Sequence, residues 1–354
     1  MQGAGENNGF RVSIDSKLLF DNWELAKAYQ DHVIVELPAG AHQIVVEDVQ
    51  RSHFGGRLRV AIAEEKQLVT EIARRLAGTV DAVVVAVGFT RDSEGEGADR
   101  TFGLPFGQNA LIREMASENK NVIVGITSVG AVDASRWIEK VPACLELWYP
   151  GEQGGKAFAE ILFGLVNPSG RLPITFERNE TDNPSYANYY PEPGTARIVY
   201  KEGIFIGYRG YERSNINPLF PFGFGLSYTT FGFANLSVRR ATASEQGKYV
   251  ASVDVTNTGK RAGAEVAQLY VSAPGGNVPR PAKELRGFVK VNLNPGETQR
   301  ISIPLDTRAF AYFDAGQKQW RAPAGTYGVL VGDSSDGIRV RGEVRLDEAL
   351  TEKP

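Results

Sequence analysis

The sequence AVVVAV at residues 82–87 determines the fold class of this chain. Every position of the run is apolar, whereas a strand with one face in water alternates apolar and polar residues. The run therefore predicts a parallel strand buried on both faces. Upstream, Leu68, Ile72 and Leu76 recur every fourth residue, as on one face of a helix, and Gly78 follows as a helix-stop residue. A helix leading into a buried strand indicates an α/β layered domain.

Helix and strand continue to alternate downstream of this run. We predict a helix at 111–115, a strand at 121–124, a short helix around Trp137, a strand at 143–148 and a helix at 157–162. Ligands of parallel sheets bind at the carboxyl ends of the strands. The loops that begin at Gly88, Thr127 and Tyr149 are therefore the candidate binding loops.

Both ends of the chain have the period of two that is typical of β-strands. The first 62 residues predict short strands at 10–14, 17–20, 32–37, 42–47 and 57–62. These strands make only half a β-sandwich and begin almost at Met1, so we expect the chain to begin inside a domain. From Phe231 onward we predict about seven strands, at 250–255, 265–271, 284–293, 299–305, 309–313, 325–332 and 338–346. Seven short strands separated by turns are typical of a small antiparallel sandwich.

Composition and charge exclude several classes of function. The 354 residues carry 39 Lys and Arg against 42 Asp and Glu, so no basic excess is available for nonspecific nucleic-acid binding. No apolar run approaches the roughly 18–20 residues of a membrane span. We expect no signal peptide, because Met1 is not followed by a basic and then an apolar stretch. The single cysteine, Cys144, excludes an internal disulfide and a cysteine-based zinc cluster. The only histidines, His32, His42 and His53, share no metal-ligand spacing, so we expect no metal site.

The segment GFTRDSEGEGADR at residues 88–100 carries the most informative chemistry. It does not match a dinucleotide-binding loop, because Arg100 stands where a third glycine is needed and because the loop is acidic where phosphate would lie. Carboxylates between glycines suit general acid/base catalysis, since a mobile loop can bring its carboxylate into a neighbouring cleft. On composition alone, a solvated acidic loop closed by a salt bridge explains the same residues.

Several motifs of the chain resemble those of one known family. The sequence EGADR at 96–100 resembles the Glu-Gly-Tyr-Asp-Arg segment that carries the acid/base glutamate in family 3 glycoside hydrolases, the β-glucosidase family. Other signatures of that family resemble PGEQGG at 150–155, NPSGRLP at 167–173, YKEGI at 200–204, FPFGFGLSYTTF at 220–231, VTNTG at 255–259 and RPAKEL at 280–285. The last two are typical of its fibronectin type III-like domain.

The resemblance implies a fold class of α/β and β multidomain. Residues 1–63 resemble the closing strands of the protective-antigen-type β-sandwich inserted into some members, with Asp21, Asn22 and Trp23 as its marker. An α/β layered sandwich is then expected over 64–230, and a C-terminal fibronectin type III-like sandwich over 231–354.

The resemblance also implies a retaining mechanism on two carboxylates. The glutamate acid/base lies on the α/β sandwich domain, and an aspartate nucleophile lies on an N-terminal (β/α)8 barrel, of which this sequence holds no part. The chain is therefore expected to be the C-terminal portion of a β-glucosidase, inactive by itself, whose partner is the missing barrel portion. Carried over to this sequence, Glu96 would be the acid/base, and Glu94, in a similar glycine setting, is its rival.

The remaining site residues follow from the same resemblance. Asp99 and Arg100 would bind substrate or brace the loop, and Ala98 stands where an aromatic residue is usual. Trp23 and Phe54 would border an aglycone subsite. The expected substrate is a β-glucoside or oligosaccharide, with no cofactor, no metal, no nucleic acid and no membrane.

Several alternatives stay open at this point. Within the enzymes, the alternative is a β-xylosidase or an arabinosidase. The sequence does not determine the oligomeric state, and a homo-oligomer is one option. The compartment, whether periplasmic, secreted or cytoplasmic, is not determined by the sequence. Outside the enzymes, a carbohydrate- or protein-binding module without catalysis is the alternative. A Glu96 that lines an open edge would favour the enzyme, and a loop packed flat against its own domain would favour the module.

Overall fold

The chain divides into two compact units, Met1–Gly154 and Gly155–Pro354. The computed structural model describes residues 2–4, 9–21, 23, 33–49, 57–64, 67–91, 93–96 and 100–354. Several residues considered above lie outside the described residues: Asn22, His32, His53, Phe54, Gly97, Ala98 and Asp99.

The first unit begins with short antiparallel strands. These are β1 (Gln2–Ala4), β2 (Gly9–Ile14), β3 (Lys17–Asp21), β4 (Ile44–Val49) and β5 (Arg57–Arg59). β2 lies between β3 and β4, and β1 pairs with β5. Phe10, Val12 and Ile14 are buried, because alternate residues of β2 share one face. The predicted strand at 32–37 is wrong over its described part: residues 33–37 pair with no described strand, and Ile34 is 61% exposed.

A parallel sheet with its helices follows, as the strand–helix alternation predicts. Its elements are α1 (Glu71–Ala77), β6 (Val83–Gly88), α2 (Gln108–Glu118), β7 (Val122–Thr127) and β8 (Ala143–Glu146). The sheet order is β6-β7-β8 with both pairs parallel. Thr70 caps the start of α1 by accepting a hydrogen bond from the Ala73 amide at 3.3 Å.

Two predictions for this sheet need correction. The run at β6 is buried on one face only: Val85 is 4% exposed, whereas Val84 on the opposite face is 50% exposed. Near Trp137 the chain forms a single 3₁₀ turn, Ile138–Lys140, rather than a short α-helix. A fully apolar run does not distinguish a strand covered on both faces from one covered on a single face.

The second unit ends in an antiparallel sandwich. It begins in α3 (Gly154–Leu162), passes through irregular chain and α4 (Tyr208–Ser214), and then forms ten strands in its described residues. These are β9 (Phe231–Arg240), β10 (Tyr249–Asn257), β11 (Gly263–Ser272), β12 (Glu284–Leu293), β13 (Thr298–Leu305), β14 (Tyr312–Asp314), β15 (Gln319–Ala322), β16 (Gly325–Gly332), β17 (Ile338–Leu346) and β18 (Leu350–Glu352).

Two sheets of the sandwich enclose its core. Their orders are β13-β10-β9 and β12-β11-β16-β17, and β14-β15-β18 forms a third, short sheet. Val255, Leu269, Phe310 and Tyr327 are fully buried in one hydrophobic cluster. The C-terminal β-sandwich predicted from the period of two is present, and β9, β15 and β18 add to the seven predicted strands.

Candidate active site

The acidic loop starts from a tightly packed strand end. Gly88, the last residue of β6, has a φ of +142°, and a Cβ at this position would overlap the carbonyl oxygen of Thr127 on β7. Gln108 of α2 accepts a hydrogen bond from the Gly88 amide at 2.7 Å and donates one to its carbonyl at 2.9 Å. The loop therefore leaves the sheet at a fixed point.

The three candidate loops of the sequence analysis meet at Glu94. The side chain of Glu94 is 6% exposed, and its Oε1 lies 2.6 Å from Nε of Arg100. The Val129 amide, after β7, donates to both carboxylate oxygens at 3.3 and 3.4 Å. The hydroxyl of Tyr149, after β8, donates to Oε2. Residues from the ends of all three parallel strands thus hold one carboxylate.

Arg100 is braced on several sides. Its guanidinium donates to the carbonyl oxygens of Thr101 at 2.9 Å and Ala131 at 2.7 Å, and it lies 4.7 Å from the centre of the Phe89 ring. Together with its ion pair to Glu94, these contacts occupy Arg100 within the protein. Its neighbour Asp99 lies outside the described residues.

Glu96 has a different environment from Glu94. It is exposed, and within the described residues its side chain forms no hydrogen bond or ion pair. The preceding Gly95 lies in open space, with no atom within 4 Å of an added Cβ. The loop thus presents one bound carboxylate and, two residues later, one carboxylate that faces solvent.

A third carboxyl, Glu146 at the end of β8, lies behind the loop. Its Oε1 accepts a hydrogen bond from the Trp148 amide at 3.0 Å, and the Ser128 hydroxyl lies 3.3 Å from both of its oxygens. Burial raises the pKa of Glu146 to about 7, against the effect of these hydrogen bonds. Glu146 was not among the site residues predicted from the sequence. The sequence feature that could have identified Glu146 is a single carboxylate in an otherwise apolar strand that ends at the site.

The aromatic candidates of the first unit are only partly described. Trp23 is half-buried, and the guanidinium of Arg11 lies 4.8 Å from the centre of its ring. Asp21 joins the two residues, since it accepts hydrogen bonds from Arg11 Nε at 3.1 Å and the Trp23 amide at 3.2 Å. One face of the Trp23 ring is therefore covered by an arginine. Phe54 lies outside the described residues.

The described part of the chain holds neither a cluster of metal-ligating side chains nor a helix suited to cross a membrane. No group of three or more His, Cys, Asp and Glu residues there has the geometry to hold a metal ion. No helix among those residues has the length and apolar character needed to cross a bilayer.

Two family models match the chain. The Glycosyl hydrolase family 3 C-terminal domain matches residues 24–228, and the Fibronectin type III-like domain matches residues 265–335. The first match includes the acidic loop and the three strands that hold it. The second lies within the C-terminal sandwich.

Curated relatives are β-glucosidases that are longer than this chain. The chain is 42% identical over 287 residues to the thermostable beta-glucosidase B of Acetivibrio thermocellus. This alignment covers 81% of this chain and 38% of the relative. It is 37% identical over 348 residues to beta-glucosidase B of Emericella nidulans, with 94% and 40% of the two chains covered. The chain thus spans about two fifths of the length of these relatives.

Solved structures similar to this chain are also β-glucosidases of which it covers less than half. A family 3 beta-glucosidase from Bifidobacterium adolescentis aligns with a TM-score of 0.76 at 37% identity, over 82% of this chain and 42% of that one. A beta-glucosidase from Kluyveromyces marxianus in complex with glucose aligns with a TM-score of 0.75 at 30% identity, over 99% and 44% of the two chains.

Proposed function

Because the chain belongs to glycosyl hydrolase family 3, we propose that it supplies the general acid/base of a retaining β-glucosidase, and that this residue is Glu96. The observation that carries the proposal is the contrast within the acidic loop. Glu94 is held by Arg100, Val129 and Tyr149, whereas Glu96 is exposed at the carboxyl end of a parallel sheet. The held residue fixes the loop, and the exposed residue is available to a substrate.

The proposed mechanism needs a second carboxylate from outside these residues. In the first step, Glu96 gives its proton to the glycosidic oxygen while an aspartate of a (β/α)8 barrel forms a bond to the anomeric carbon and the aglycone leaves as an alcohol. In the second step, Glu96 takes a proton from water, and the water oxygen displaces the aspartate from the same carbon. The sugar leaves with its configuration retained, which requires the two carboxyl groups to lie about 5–5.5 Å apart.

Glu94 is the weaker candidate for this role because of its contacts. Both of its oxygens accept hydrogen bonds inside the protein, and its side chain is nearly buried. A proton donor must instead come within hydrogen-bond reach of the glycosidic oxygen. We assign Glu94 and Arg100 to bracing the loop. Asp99 stays a prediction for either bracing or substrate binding, and Trp23 and Phe54 stay predictions for the aglycone subsite.

The proposal extends to domains, partners and substrate. We assign residues 1–63 to a protective-antigen-type insert, 64–230 to the α/β domain of the acid/base loop and 231–354 to the fibronectin type III-like domain. The partner of the loop is the barrel portion of the same enzyme, and the substrate is a terminal β-D-glucosyl residue. The exposure of Glu96 supports an enzyme over a binding module.

The test uses the polypeptide encoded by the complete reading frame. Glu96→Gln should lower kcat/KM about 10²–10⁴-fold on β-glucosides with poor leaving groups, because those substrates need the proton. On an aryl β-glucoside with an activated leaving group, azide should restore turnover by intercepting the glucosyl intermediate. Glu94→Gln should show no azide rescue. Azide rescue of Glu94→Gln in place of Glu96→Gln would transfer the role to Glu94.

Two further arms test the remaining parts of the proposal. These 354 residues alone should not hydrolyse an aryl β-glucoside, because the nucleophile lies elsewhere. Robust hydrolysis by this chain would contradict the proposal that the acid/base lies here and the nucleophile lies on the barrel portion. Parallel assays with an aryl β-xyloside identify the sugar, and a higher kcat/KM on the xyloside would contradict the β-glucosidase assignment.

A further inference from the structure

Glu146 connects the ends of two neighbouring strands beneath the acidic loop. It is the last residue of β8, and its carboxylate faces the hydroxyl of Ser128, the first residue after β7. Ser128 is fully buried and also donates to the carbonyl of Gly130 at 2.6 Å. A carboxyl in this position contacts both of the chain segments that lead to the donors of Glu94.

The turn that follows Glu146 has an unusual backbone. Trp148 has a φ of +54°, a conformation that is unfavourable for residues other than glycine and persists only where neighbouring contacts hold it. The Trp148 amide donates to Glu146 Oε1 at 3.0 Å, so Glu146 supplies one such contact. The turn directs the next residue, Tyr149, toward Glu94.

The hydroxyl of Tyr149 completes the connection to the loop. Desolvation and the hydrogen bond to Glu94 raise the pKa of Tyr149 to about 12, so the hydroxyl keeps its proton and acts as a donor. An unbroken series of contacts therefore runs from Glu146 through the Trp148 turn and Tyr149 to Glu94, two residues before Glu96.

We propose that Glu146 is a positioning residue for the acid/base loop: its carboxylate holds the Trp148 turn, which places the Tyr149 hydroxyl on Glu94 and so fixes the loop that carries Glu96. The inference rests on the proposed function. It adds a residue from the strand behind the loop that acts on the reaction only through other residues.

The ionisation of Glu146 supports this role. Among the described residues, the charged and titratable groups that interact with Glu146 are Arg100 from the loop, Cys144 on its own strand and Tyr149 after it. Arg100 and Tyr149 both contact Glu94 in turn. As a carboxylate, Glu146 offers acceptors to both Trp148 and Ser128. As an acid, it accepts the Trp148 hydrogen bond through a neutral oxygen, and hydrogen bonds to a neutral acceptor are weaker than those to a carboxylate. The turn should therefore be held less firmly as the pH falls through about 7.

The experiment separates the acceptor from the charge with two substitutions. Glu146→Leu removes the acceptor, whereas Glu146→Gln keeps an acceptor oxygen for the Trp148 amide and removes the ionisation. In the polypeptide of the complete reading frame, the Leu variant should lower kcat on a poorly activated β-glucoside about tenfold, with KM within about twofold. The Gln variant should retain most of the kcat but lose the inflection near pH 7 from its pH profile. Glu139→Gln, an exposed glutamate just before β8, is the matched control and should change neither.

A double-mutant cycle tests whether Glu146 acts through Tyr149. Tyr149→Phe should lower kcat by a similar factor, and the double variant with Glu146→Leu should fall no further than the worse single variant. Glu146→Leu should also unfold at a higher urea concentration at pH 7, because it removes a buried charge. A merely structural role would lower activity and stability together. Unchanged kcat in Glu146→Leu, or losses that multiply in the double variant, would overturn the proposal.

Hydrogen exchange of the Trp148 amide tests this inference without measuring activity, and so separately from the proposed function. Glu146→Leu should raise the hydrogen-exchange rate of the Trp148 amide at least about tenfold, while Tyr149→Phe should leave it unchanged. If the complete polypeptide hydrolyses no β-glucoside at all, the proposed function fails, and the exchange rate still decides whether Glu146 holds the turn. An unchanged Trp148 exchange rate in Glu146→Leu would overturn the positioning role.

Discussion

His42 in the first unit must carry a positive charge to make its observed contacts. Its Nδ1 lies 2.6 Å from Asp15 Oδ2, and its Nε2 lies 2.8 Å from the carbonyl oxygen of Pro38. Neither acceptor can donate, so both ring nitrogens need protons. Asp15 also accepts from the Gln43 amide at 2.9 Å. The hydrogen bond to Asp15 raises the pKa of His42, and the same bond lowers the pKa of Asp15.

The sign of each shift gives a window of pH for this pair. The raised pKa of His42 means that its stabilising effect is complete below about 6.5 and is lost as the pH rises through the folded-state value. The lowered pKa of Asp15 means that its effect is present above about 3.8 and is lost as the pH falls through the folded-state value. An NMR titration should therefore give His42 a pKa above 6.5. Asp15→Asn should return it toward 6.5 and keep the turn, because Asn tolerates the φ of +50° at this position. A His42 pKa at or below 6.5 in the unchanged chain would contradict this account.

At the residue scale, the sequence predicted the acidic loop but not that Glu94 is held by the protein while Glu96 is exposed. The sequence shows Glu94 and Glu96 in similar glycine settings, and the only local difference is the Gly-x-Asp-Arg that follows Glu96. Their environments differ because Tyr149 and Val129 contact Glu94 from 55 and 35 residues away in the chain. Such partners follow from the three-strand arrangement and not from the spacing of the loop. The same reason explains why Glu146 was not singled out.

At the scale of elements, the end of β6 depends on a glycine that the strand pattern does not require. Gly88 packs against the backbone of β7, whereas Gly95 in the same loop has open space around it. Gly88→Ala should reduce the free energy of unfolding of the chain by about 2–4 kcal/mol, from the strained φ and from overlap with Thr127. Gly95→Ala is the matched control and should stay within about 0.5 kcal/mol. Urea unfolding measures both, and equal losses would contradict the packing argument.

Elements with strong local signals were predicted well, and those that depend on a partner were not. α1 forms where the apolar spacing predicts a helix and ends at Gly78, the predicted stop residue, although Ile72 and Leu76 are 62% and 56% exposed. The segment 33–37 has the alternation of a strand yet pairs with no described strand. A period of two reports that side chains alternate, and it does not report whether another strand lies alongside.

At the scale of the whole second unit, the signature motifs hold irregular chain against the sandwich. Asn167 donates to the Ala262 carbonyl at 3.0 Å and accepts from the Ser227 hydroxyl at 2.9 Å. Arg171 donates to the Gly225 carbonyl and pairs with Glu265 on β11. The motifs NPSGRLP at 167–173 and FPFGFGLSYTTF at 220–231 were identified in the sequence by resemblance. Their physical role could not be predicted, because the partners of Arg171 lie 54 and 94 residues away.

The Arg171–Glu265 pair should therefore be a main support of this unit. The two side chains are 10% and 4% exposed, so removing the arginine leaves a buried carboxylate without its counter-charge. Arg171→Met should lower the free energy of unfolding by about 3–5 kcal/mol. Adding Glu265→Gln should recover most of the loss, because Gln removes the charge and still accepts from the Val266 amide, as Glu265 does at 2.7 Å.

The matched control for that pair is Arg239→Met. Arg239 pairs with Glu245 at 2.5 Å on an exposed surface, where water and salt screen the charges and an ion pair contributes little to stability. Burial raises the pKa of Glu265, so the deficit of Arg171→Met should shrink as the pH falls and the buried carboxyl takes up a proton. The deficit of Arg239→Met should shrink only below about pH 4.5, because the hydrogen bond to Arg239 lowers the pKa of Glu245 and this stabilising effect is lost only as Glu245 itself takes up a proton. Equal losses in the two single variants, or a double variant no more stable than Arg171→Met, would mean that the buried charge does not hold the irregular chain on the sandwich.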